Sequence, residues 1–94
     1  METIWKYLIE NPQTTLVMPR GAHIFSTGIQ GNALVVWAHV LPGAPEVPRR
    51  VRAVNTGETL ADDALSGATF VGTVTHRNGI VWHVFAWAEE DTSS

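Results

Sequence analysis

The sequence predicts an all-β domain, a small antiparallel barrel or sandwich of five to six strands with one short helical segment. The first observation is the pair Asn78-Gly79, which separates two runs of β-branched and aromatic residues and is typical of a β-hairpin. The second is a similar arrangement between residues 22 and 41, where glycine and asparagine interrupt two apolar runs. The third is the position of the prolines and of the other glycines, which divide the remaining chain into segments of strand length.

Two strands are expected before residue 20. Thr3–Glu10 alternates in a way that favours an amphipathic strand over a short helix. Asn11-Pro12 ends this strand. Thr14–Met18 is a second β-prone stretch, and Pro19 ends it.

A hairpin is predicted between Ala22–Ile29 and Ala33–Leu41, with its turn inside residues 28–32. A two-residue loop at this turn places side chains of both strands on a shared face, which we expect to be the core face. The residues of that face are Phe25, Thr27, Ile29, Leu34, Val36 and Ala38.

The middle of the chain combines proline, arginine and a candidate helix. Leu41–Pro48 holds three of the five prolines, which excludes a central strand and predicts an extended loop or a sheet edge. Arg49–Val54 alternates and predicts a strand whose outer face carries arginines. After a turn at residues 55–57, Thr59–Ser66 is predicted to form one or two helical turns that end at Gly67.

The C-terminal hairpin is expected to pair Thr69–His76 with Ile80–Ala88. A two-residue type I′ loop sets Gly72 opposite Phe85. Both faces then carry mainly apolar side chains, whereas a hairpin with one solvated face alternates cleanly between apolar and polar residues. We therefore expect both faces to be covered, by closure into a barrel or by a second copy of the chain, and we expect a homo-oligomer.

Length and composition limit the class of protein. The 94 residues suffice for one β-rich domain at 1–88, followed by an acidic, flexible tail at 89–94. No apolar run approaches the ~20 residues that span a bilayer, and the start lacks the basic residues of a signal peptide, so we expect a soluble, cytoplasmic protein. The absence of cysteine excludes disulfides and thiolate chemistry. The formal net charge of −3 argues against broad nucleic-acid binding and against binding to anionic membranes.

The four histidines raise the question of a metal site. In the predicted register His76 and His83 are diagonal neighbours on one face, roughly 7–8 Å apart at Cα. A third ligand is missing, and the chain has no HExxH motif. No serine lies in a G-x-S-x-G elbow. We therefore expect no metal, no cofactor and no enzymatic activity, which leaves a metal-dependent hydrolase as a distant third hypothesis.

One charge cluster predicts a ligand site. Arg50 and Arg52 project from the same face of their strand, next to the turn formed by Asn55, Thr56 and Gly57. Arginine offers a planar fork of donors suited to phosphate or carboxylate, and the turn would add free backbone amides. The alternative is that these arginines only pair with nearby carboxylates, at Glu46, Glu58 or Asp62.

The aromatic residues predict contact surfaces. Four tryptophans in a chain of this length are many, and buried tryptophans usually anchor cores or interfaces. We assign Trp37, Trp82 and His83 to a subunit interface or to stacking on a ligand.

Several short motifs occur in a family-like order. They are I-W-K-Y near the start, M-P-x-G-A at Met18–Ala22, W-A at Trp37-Ala38, N-T-G at residues 55–57, G-T-V at residues 72–74 and V-W-H-V-F at residues 81–85. The chain resembles in this respect a family of small proteins of unknown function found in bacteriophages and prophages, although N-T-G stands where G-T-G is more usual. The resemblance implies a phage or prophage setting and transfers no activity.

These observations together predict a non-enzymatic accessory or counter-defence protein of phage type. It would act by stoichiometric binding of a host factor or of a small anionic, nucleotide-like ligand. The alternative is a structural or assembly component of a phage particle.

Overall fold

The structure is a computed structural model that describes residues 1–90. These residues form seven β-strands and no helix. In chain order the strands are β1 Thr3–Ile9, β2 Gln13–Pro19, β3 His23–Gln30, β4 Ala33–Val40, β5 Glu46–Asn55, β6 Thr69–Thr75 and β7 Val81–Ala86. The all-β class is confirmed. The expected count of five to six strands was too low, and the expected helical segment is absent from the described residues.

Two antiparallel sheets pack against each other as an open sandwich. The three-stranded sheet has the order β1-β4-β3, and the four-stranded sheet has the order β2-β5-β7-β6. No pairing within residues 1–90 closes these sheets into a barrel. Pro48 lies in β5 before the pairing with β7 begins at Val51, where the missing N–H of proline costs no ladder hydrogen bond on that side.

The core lies between the sheets and is built mainly from valine and alanine. Each fully buried valine contributes about 1.5–3 kcal/mol relative to an exposed one, and the thin layer of small side chains suits close packing of two short sheets. The buried apolar cluster consists of Ile9, Met18, Ala22, Ile24, Val36, Ala38, Val40, Val51, Ala53, Val84 and Ala86.

The hairpin of β3 and β4 turns at Gly31-Asn32, and its first pairs have the expected register. A β-bulge at Phe25 then shifts the pairing, so that Ile24 lies opposite Ala38. Ile24 is buried, whereas Phe25 is 43% exposed. The assignment of Phe25 to the core was therefore wrong, because one extra residue in a strand reverses the side to which the residues before it point.

The hairpin of β6 and β7 turns at the predicted Asn78-Gly79 pair through a three-residue loop. The His76 N–H donates to the Ile80 carbonyl at 2.8 Å, which encloses three residues rather than two. Gly79 has a φ of 91°, and no other described residue of the loop has a positive φ. A turn followed by a left-handed glycine is the usual form of a three-residue hairpin, whereas type I′ needs two positive φ values.

The longer loop shifts the register of this hairpin by one residue. Thr73 lies opposite His83, and Gly72 lies opposite Val84 rather than Phe85. The predicted combination of faces was therefore wrong, and the predicted alternation holds within β7 and within residues 72–75 of β6 but not across Val71.

Gly72 lies where an edge of one sheet meets an edge of the other. A Cβ atom added to Gly72 would lie 2.9 Å from Cγ2 of Thr27 on β3 of the other sheet. The strand before Gly72 contains a second β-bulge, at Val71. Glycine is needed here because a neighbouring strand approaches the backbone, not because an aromatic ring covers it.

Residues 56–68 form successive turns instead of the predicted helix. Three hydrogen bonds span three residues each, the first of them from the Ala64 N–H to the Ala61 carbonyl. Asp63 has a φ of 65°, which a right-handed helix does not tolerate. Asp63 therefore divides the segment into separate turns.

The same segment covers part of the outer face of the four-stranded sheet. The indole Nε1 of Trp87 donates to the Ser66 carbonyl at 2.7 Å. Phe70 remains 57% exposed, although its ring contacts the ring of Phe85 at a centroid distance of 5.6 Å. The second apolar side of the C-terminal hairpin is thus covered in part by the chain itself, and not by barrel closure.

The described chain ends in an extended stretch after β7. The Glu89 carboxylate accepts a hydrogen bond from the Gly21 N–H. Residues 91–94 of the predicted flexible tail lie outside the described residues. Among residues 1–90 there is no helix with the length and apolar character needed to cross a membrane.

Candidate functional site

A groove crosses the outer face of the four-stranded sheet, on the side away from the core. Its narrower part has a volume of ≈ 190 Å³ and is lined in part by Arg50, Arg52, Gln13 and Trp87. The pairing of β2 with β5 sets this arrangement, because Gln13 lies opposite Arg52 and Thr15 lies opposite Arg50, and directly opposite residues share a face. Polar side chains of β2 therefore form one wall beside the arginines of β5.

A wider part of the groove continues toward the end of the described chain. Its volume is ≈ 340 Å³, and it shares Thr15, Arg50 and Trp87 with the narrower part. Glu89 and Glu90 line this wider part. Two arginines thus line the narrower part and two glutamates line the wider part, with Arg50 common to both.

The Arg50 guanidinium lies over the Trp87 ring, with Cζ 4.2 Å from the ring centroid. Trp87 is fixed on three sides: its N–H donates to the Arg50 carbonyl, its indole donates to Ser66, and its carbonyl accepts from Nε of Arg49. Stacking of a cation on tryptophan contributes about 0.5–1 kcal/mol at an exposed position. Among residues 1–90 the Arg50 side chain makes no ion pair, so a fixed ring holds a charged head group that has no carboxylate partner there.

Arg52 has one carboxylate partner and one unused donor. Its Nη2 donates to Oε2 of Glu58 at 3.1 Å, which confirms for Arg52 the predicted alternative of pairing with a nearby carboxylate. The Nε atom of Arg52 is buried and has no partner within the described residues. A buried donor without a partner costs about 1–3 kcal/mol, and a ligand in the groove would reach this atom only after the Arg52 side chain moved.

The turn at Asn55, Thr56 and Gly57 has two of its three backbone amides already in hydrogen bonds, contrary to our expectation of free amides. The Asn55 N–H donates to Oε1 of Glu58, and the Thr56 N–H donates to the Val81 carbonyl. The Asn55 N–H and then the Arg52 side chain lower the pKa of the Glu58 carboxyl. A carboxylate therefore occupies the place where the sequence predicted an anion, although Gly57 adopts the expected left-handed turn, with a φ of 88°.

His83 lies on the same outer face and bridges two elements. One ring nitrogen is 2.7 Å from Oγ1 of Thr56 and the other is 2.9 Å from Oγ1 of Thr73. In a neutral imidazole one nitrogen donates and the other accepts, which the two hydroxyls satisfy. His83 thus ties the turn after β5 to β6 and β7, on the side of Arg52.

The histidines do not assemble into a metal site. The register shift and the loop place His76 near the turn of β3 and β4, where its Nε2–H donates to the Asn32 carbonyl at 3.1 Å. The predicted diagonal contact of His76 with His83 was therefore wrong. Within residues 1–90 no group of three or more His, Cys, Asp or Glu side chains is placed to hold one metal ion.

Trp37 and Trp82 lie apart from the groove. The Trp37 ring packs over Gly28 on the outer face of the three-stranded sheet, with a ring atom 3.0 Å from the position of a Cβ at Gly28. Trp82 packs against the core and lines a cavity of ≈ 510 Å³ at one end of the sandwich. Of the three residues assigned to stacking or interface, only His83 lies on the face that carries the arginines.

Arg49 has a structural position that the sequence did not reveal. It is 7% exposed, and its guanidinium donates to the carbonyls of Ala22 and Trp87 at 2.6 and 3.1 Å. Burial lowers the pKa of Arg49, and the charge of Glu89 opposes that shift. Arg49 therefore holds β5 to the start of β3 and to the end of β7, and it does not face the groove.

The sequence analysis missed three residues of the groove, namely Trp87, Gln13 and Thr15. The pairing of β5 with β7 sets Val51 opposite Ala86 and so brings Arg50 beside Trp87. Knowledge of this pairing would have identified Trp87 as a neighbour of Arg50. Sequence alone showed hairpin pairs but gave no means to choose the neighbour of a strand that is distant along the chain.

Comparison with known proteins gives the family and nothing further. No curated protein and no solved structure matches this chain significantly. A family model described as a domain of unknown function, DUF7352, matches residues 1–94. The match spans the whole sequence, and the chain therefore belongs to the DUF7352 family of domains of unknown function.

Proposed function

We propose that this protein is a non-enzymatic binding protein that takes a small anionic, nucleotide-like ligand in the groove of Arg50 and Arg52. The observation that carries the proposal is the Arg50 head group, held on Trp87 without a carboxylate partner in the described residues and lining the same groove as Arg52. Pre-positioned donors reduce the entropy that a ligand must lose on binding. Two guanidinium groups on one face suit an oxyanion that accepts several hydrogen bonds.

The dimensions of the narrower part of the groove favour an anionic head group over an entire drug-sized molecule inside it. A cavity of ≈ 190 Å³ is smaller than the roughly 300–1,000 Å³ of sites that enclose drug-sized ligands. A phosphate or carboxylate would occupy the narrow end, between Arg50 and Arg52. The rest of the ligand would extend over Arg50, whose guanidinium offers a planar surface for a base or another aromatic ring.

The charges of the wider part set the orientation. Glu89 and Glu90 repel an anion from that end, whereas Gln13 and Thr15 add uncharged hydrogen-bonding groups at the other. We therefore place the phosphate between β2 and β5, and the uncharged part of the ligand toward Trp87.

The biological setting of the proposal comes from the family-like motifs of the sequence. A phage or prophage accessory protein that sequesters a host signalling nucleotide, as in counter-defence, would need stoichiometric binding and no catalytic residues. The resemblance alone supports this setting, and a host protein with a phosphorylated or acidic segment would present the same chemistry to the groove. The alternative role as a particle component predicts that the protein co-purifies with mature virions.

Calorimetric titration with adenosine monophosphate and with inorganic phosphate tests the proposal. The key variant is Arg50→Lys, which keeps the charge and removes the planar fork. Loss of a charge-assisted hydrogen-bond pair costs about 1.5–3 kcal/mol, so we expect roughly tenfold or greater weakening of binding to adenosine monophosphate.

The matched control is Arg77→Lys, because Arg77 is exposed in the loop of β6 and β7, at the other end of β7 from Trp87. This control should bind like the wild type. Equal binding by both variants, or no binding of either probe by the wild type at low ionic strength, would refute the proposal. Tight binding of phosphate without a gain from the adenosine would retain the anion site and exclude the nucleotide-like class.

A further inference from the structure

The four edge strands of the sandwich differ in how they are protected. The edges β3 and β6 face each other at Thr27 and Gly72, and each contains a β-bulge. The edge β2 follows Pro12 and ends at Pro19. The remaining edge, β1, has neither a proline nor a bulge across its seven residues. Proteins that stay monomeric normally block such an edge, because its free N–H and C=O groups pair readily with another strand.

The side chains of β1 are apolar and exposed on both faces. Ile4 and Leu8 on the outer face are 55% and 48% exposed, and Trp5 on the core-facing side is 39% exposed. An edge with exposed apolar residues on both sides gains from a neighbour that continues the sheet, because that neighbour covers both faces at once.

Lys6 is the only charged residue of β1, and it does not guard the edge. Its ammonium group donates to Oε1 of Gln30 at 2.6 Å. Gln30 belongs to β3, on the far side of β4 from β1. The lysine side chain is therefore directed over the sheet, whereas a protective lysine extends outward across the edge.

We propose that β1 pairs antiparallel with β1 of a second copy of this chain, about a two-fold axis at Lys6. This register places Trp5 opposite Tyr7, Ile4 opposite Leu8 and Thr3 opposite Ile9, so these pairs join apolar or uncharged residues. The central pair sets Lys6 opposite its copy, and the bond to Gln30 draws each ammonium group over its own sheet, away from the like charge. All seven residues of β1 take part, and the two three-stranded sheets become one continuous sheet.

Other registers fit less well. A slip of one residue would set the core-facing side chains of one copy against the outer-facing side chains of the other. A slip of two residues toward the end of the strand would shorten the pairing and place Glu10 opposite Ile4. The proposed interface is independent of the arginine groove, which lies on the other sheet, so either proposal can fail without the other.

Cysteine cross-linking tests both the partner and the register, because the native chain contains no cysteine. The variant Lys6→Cys brings the two thiols together at the axis, where strand partners lie about 4.5–5.5 Å apart at Cα and so within reach of a disulfide. The matched control is Ile4→Cys, which is exposed on the same face but separated from its own copy by several residues along the strand. We expect Lys6→Cys to form the disulfide dimer faster than Ile4→Cys by about tenfold or more.

A mixture of Ile4→Cys and Leu8→Cys chains of different mass should yield mainly the mixed dimer. Sedimentation of the cysteine-free protein should show a dimer, and Leu8→Lys should shift it to monomer with an unchanged circular dichroism spectrum. A wild-type monomer at all soluble concentrations, or equal cross-linking of Lys6→Cys and Ile4→Cys, would overturn the proposal.

Discussion

Replacing Gly72 by alanine should strain the contact between the two sheets. The new methyl group would lie 2.9 Å from Cγ2 of Thr27, closer than two carbon atoms pack. Thr27 cannot simply rotate away, because its hydroxyl donates to the Val35 carbonyl at 2.7 Å and β-branched side chains have few allowed rotamers. Either β6 or β3 must therefore move.

The expected magnitude follows from two opposing terms. Forcing an extra methyl into a packed site costs about 1–3 kcal/mol. Removing a glycine restricts the unfolded chain and returns about 0.4–1 kcal/mol. We expect Gly72→Ala to lower the free energy of unfolding by about 1 kcal/mol, which corresponds to a decrease in Tm of about 4–8 °C for a domain of this size.

Urea denaturation followed by tryptophan fluorescence measures this loss, provided that the m-value stays constant. The control is Gly43→Ala, since no atom lies within 4 Å of a Cβ at Gly43 and its φ is not positive. Thr27→Ser supplies the second arm, because it removes Cγ2 and keeps the hydroxyl. In that background Gly72→Ala should be neutral or stabilising, and equal stability of Gly72→Ala and Gly43→Ala would show that the sheets do not meet at this point.

Three further predictions concern single side chains. Tyr7 is the only tyrosine, and burial followed by the charge of Glu46 raises its pKa above 10.0, so its phenolate absorbance should appear at higher pH in the folded protein than in the urea-unfolded chain. The contribution of Tyr7 to the free energy of unfolding should be present below pH 10 and decrease as pH rises through the raised pKa, and identical titration curves for the folded and unfolded chains would contradict this. The lowered pKa of Glu58 predicts a contribution to the free energy of unfolding that is present above the ordinary pKa of about 4.3 and lost as pH falls through the lowered pKa. Thermal melts across pH should show that Glu58→Gln removes this contribution to the pH dependence of Tm, and an unchanged pH dependence would refute the contacts assigned to Glu58. Arg49→Leu removes the donors of one buried carbonyl, at Ala22, and one partly buried carbonyl, at Trp87, and should destabilise the fold by about 1–3 kcal/mol in urea denaturation. A change near zero would show that the guanidinium is dispensable.

The hairpins show how far the sequence determines local structure. The turn of β3 and β4 was predicted only within residues 28–32, and the structure places it at Gly31-Asn32 with the shared face expected for a two-residue loop. Asn78-Gly79 marked the right place but not the loop length, since Asn-Gly suits more than one hairpin turn and one residue changes every cross-strand pair. The bulge at Phe25 had no local signal, because both neighbouring residues are compatible with a strand.

In the candidate site, too, features set by local alternation were predicted correctly, whereas features set by long-range strand pairing were not. Arg50 and Arg52 were placed on one outer face by alternation alone, and the structure has them there. Trp87 and Gln13 reach them only through the pairing of β5 with β7 and β2, which depends on contacts between distant parts of the chain. The Glu58 carboxylate accepts a hydrogen bond from the Asn55 N–H, three residues before it, and the sequence permitted this bond but did not require it.

The account depends most on an anion that lies between Arg50 and Arg52. Nuclear magnetic resonance of isotope-labelled protein measures this directly, by following the side-chain Nε–H signals of the arginines and the indole N–H of Trp87 during titration with inorganic phosphate and then with adenosine monophosphate. We predict that the Arg50 and Arg52 signals shift together and saturate at one ligand per chain, with the Trp87 indole shifting further for the nucleotide. Shifts of equal size at Arg77, or no saturable change at Arg52, would contradict it.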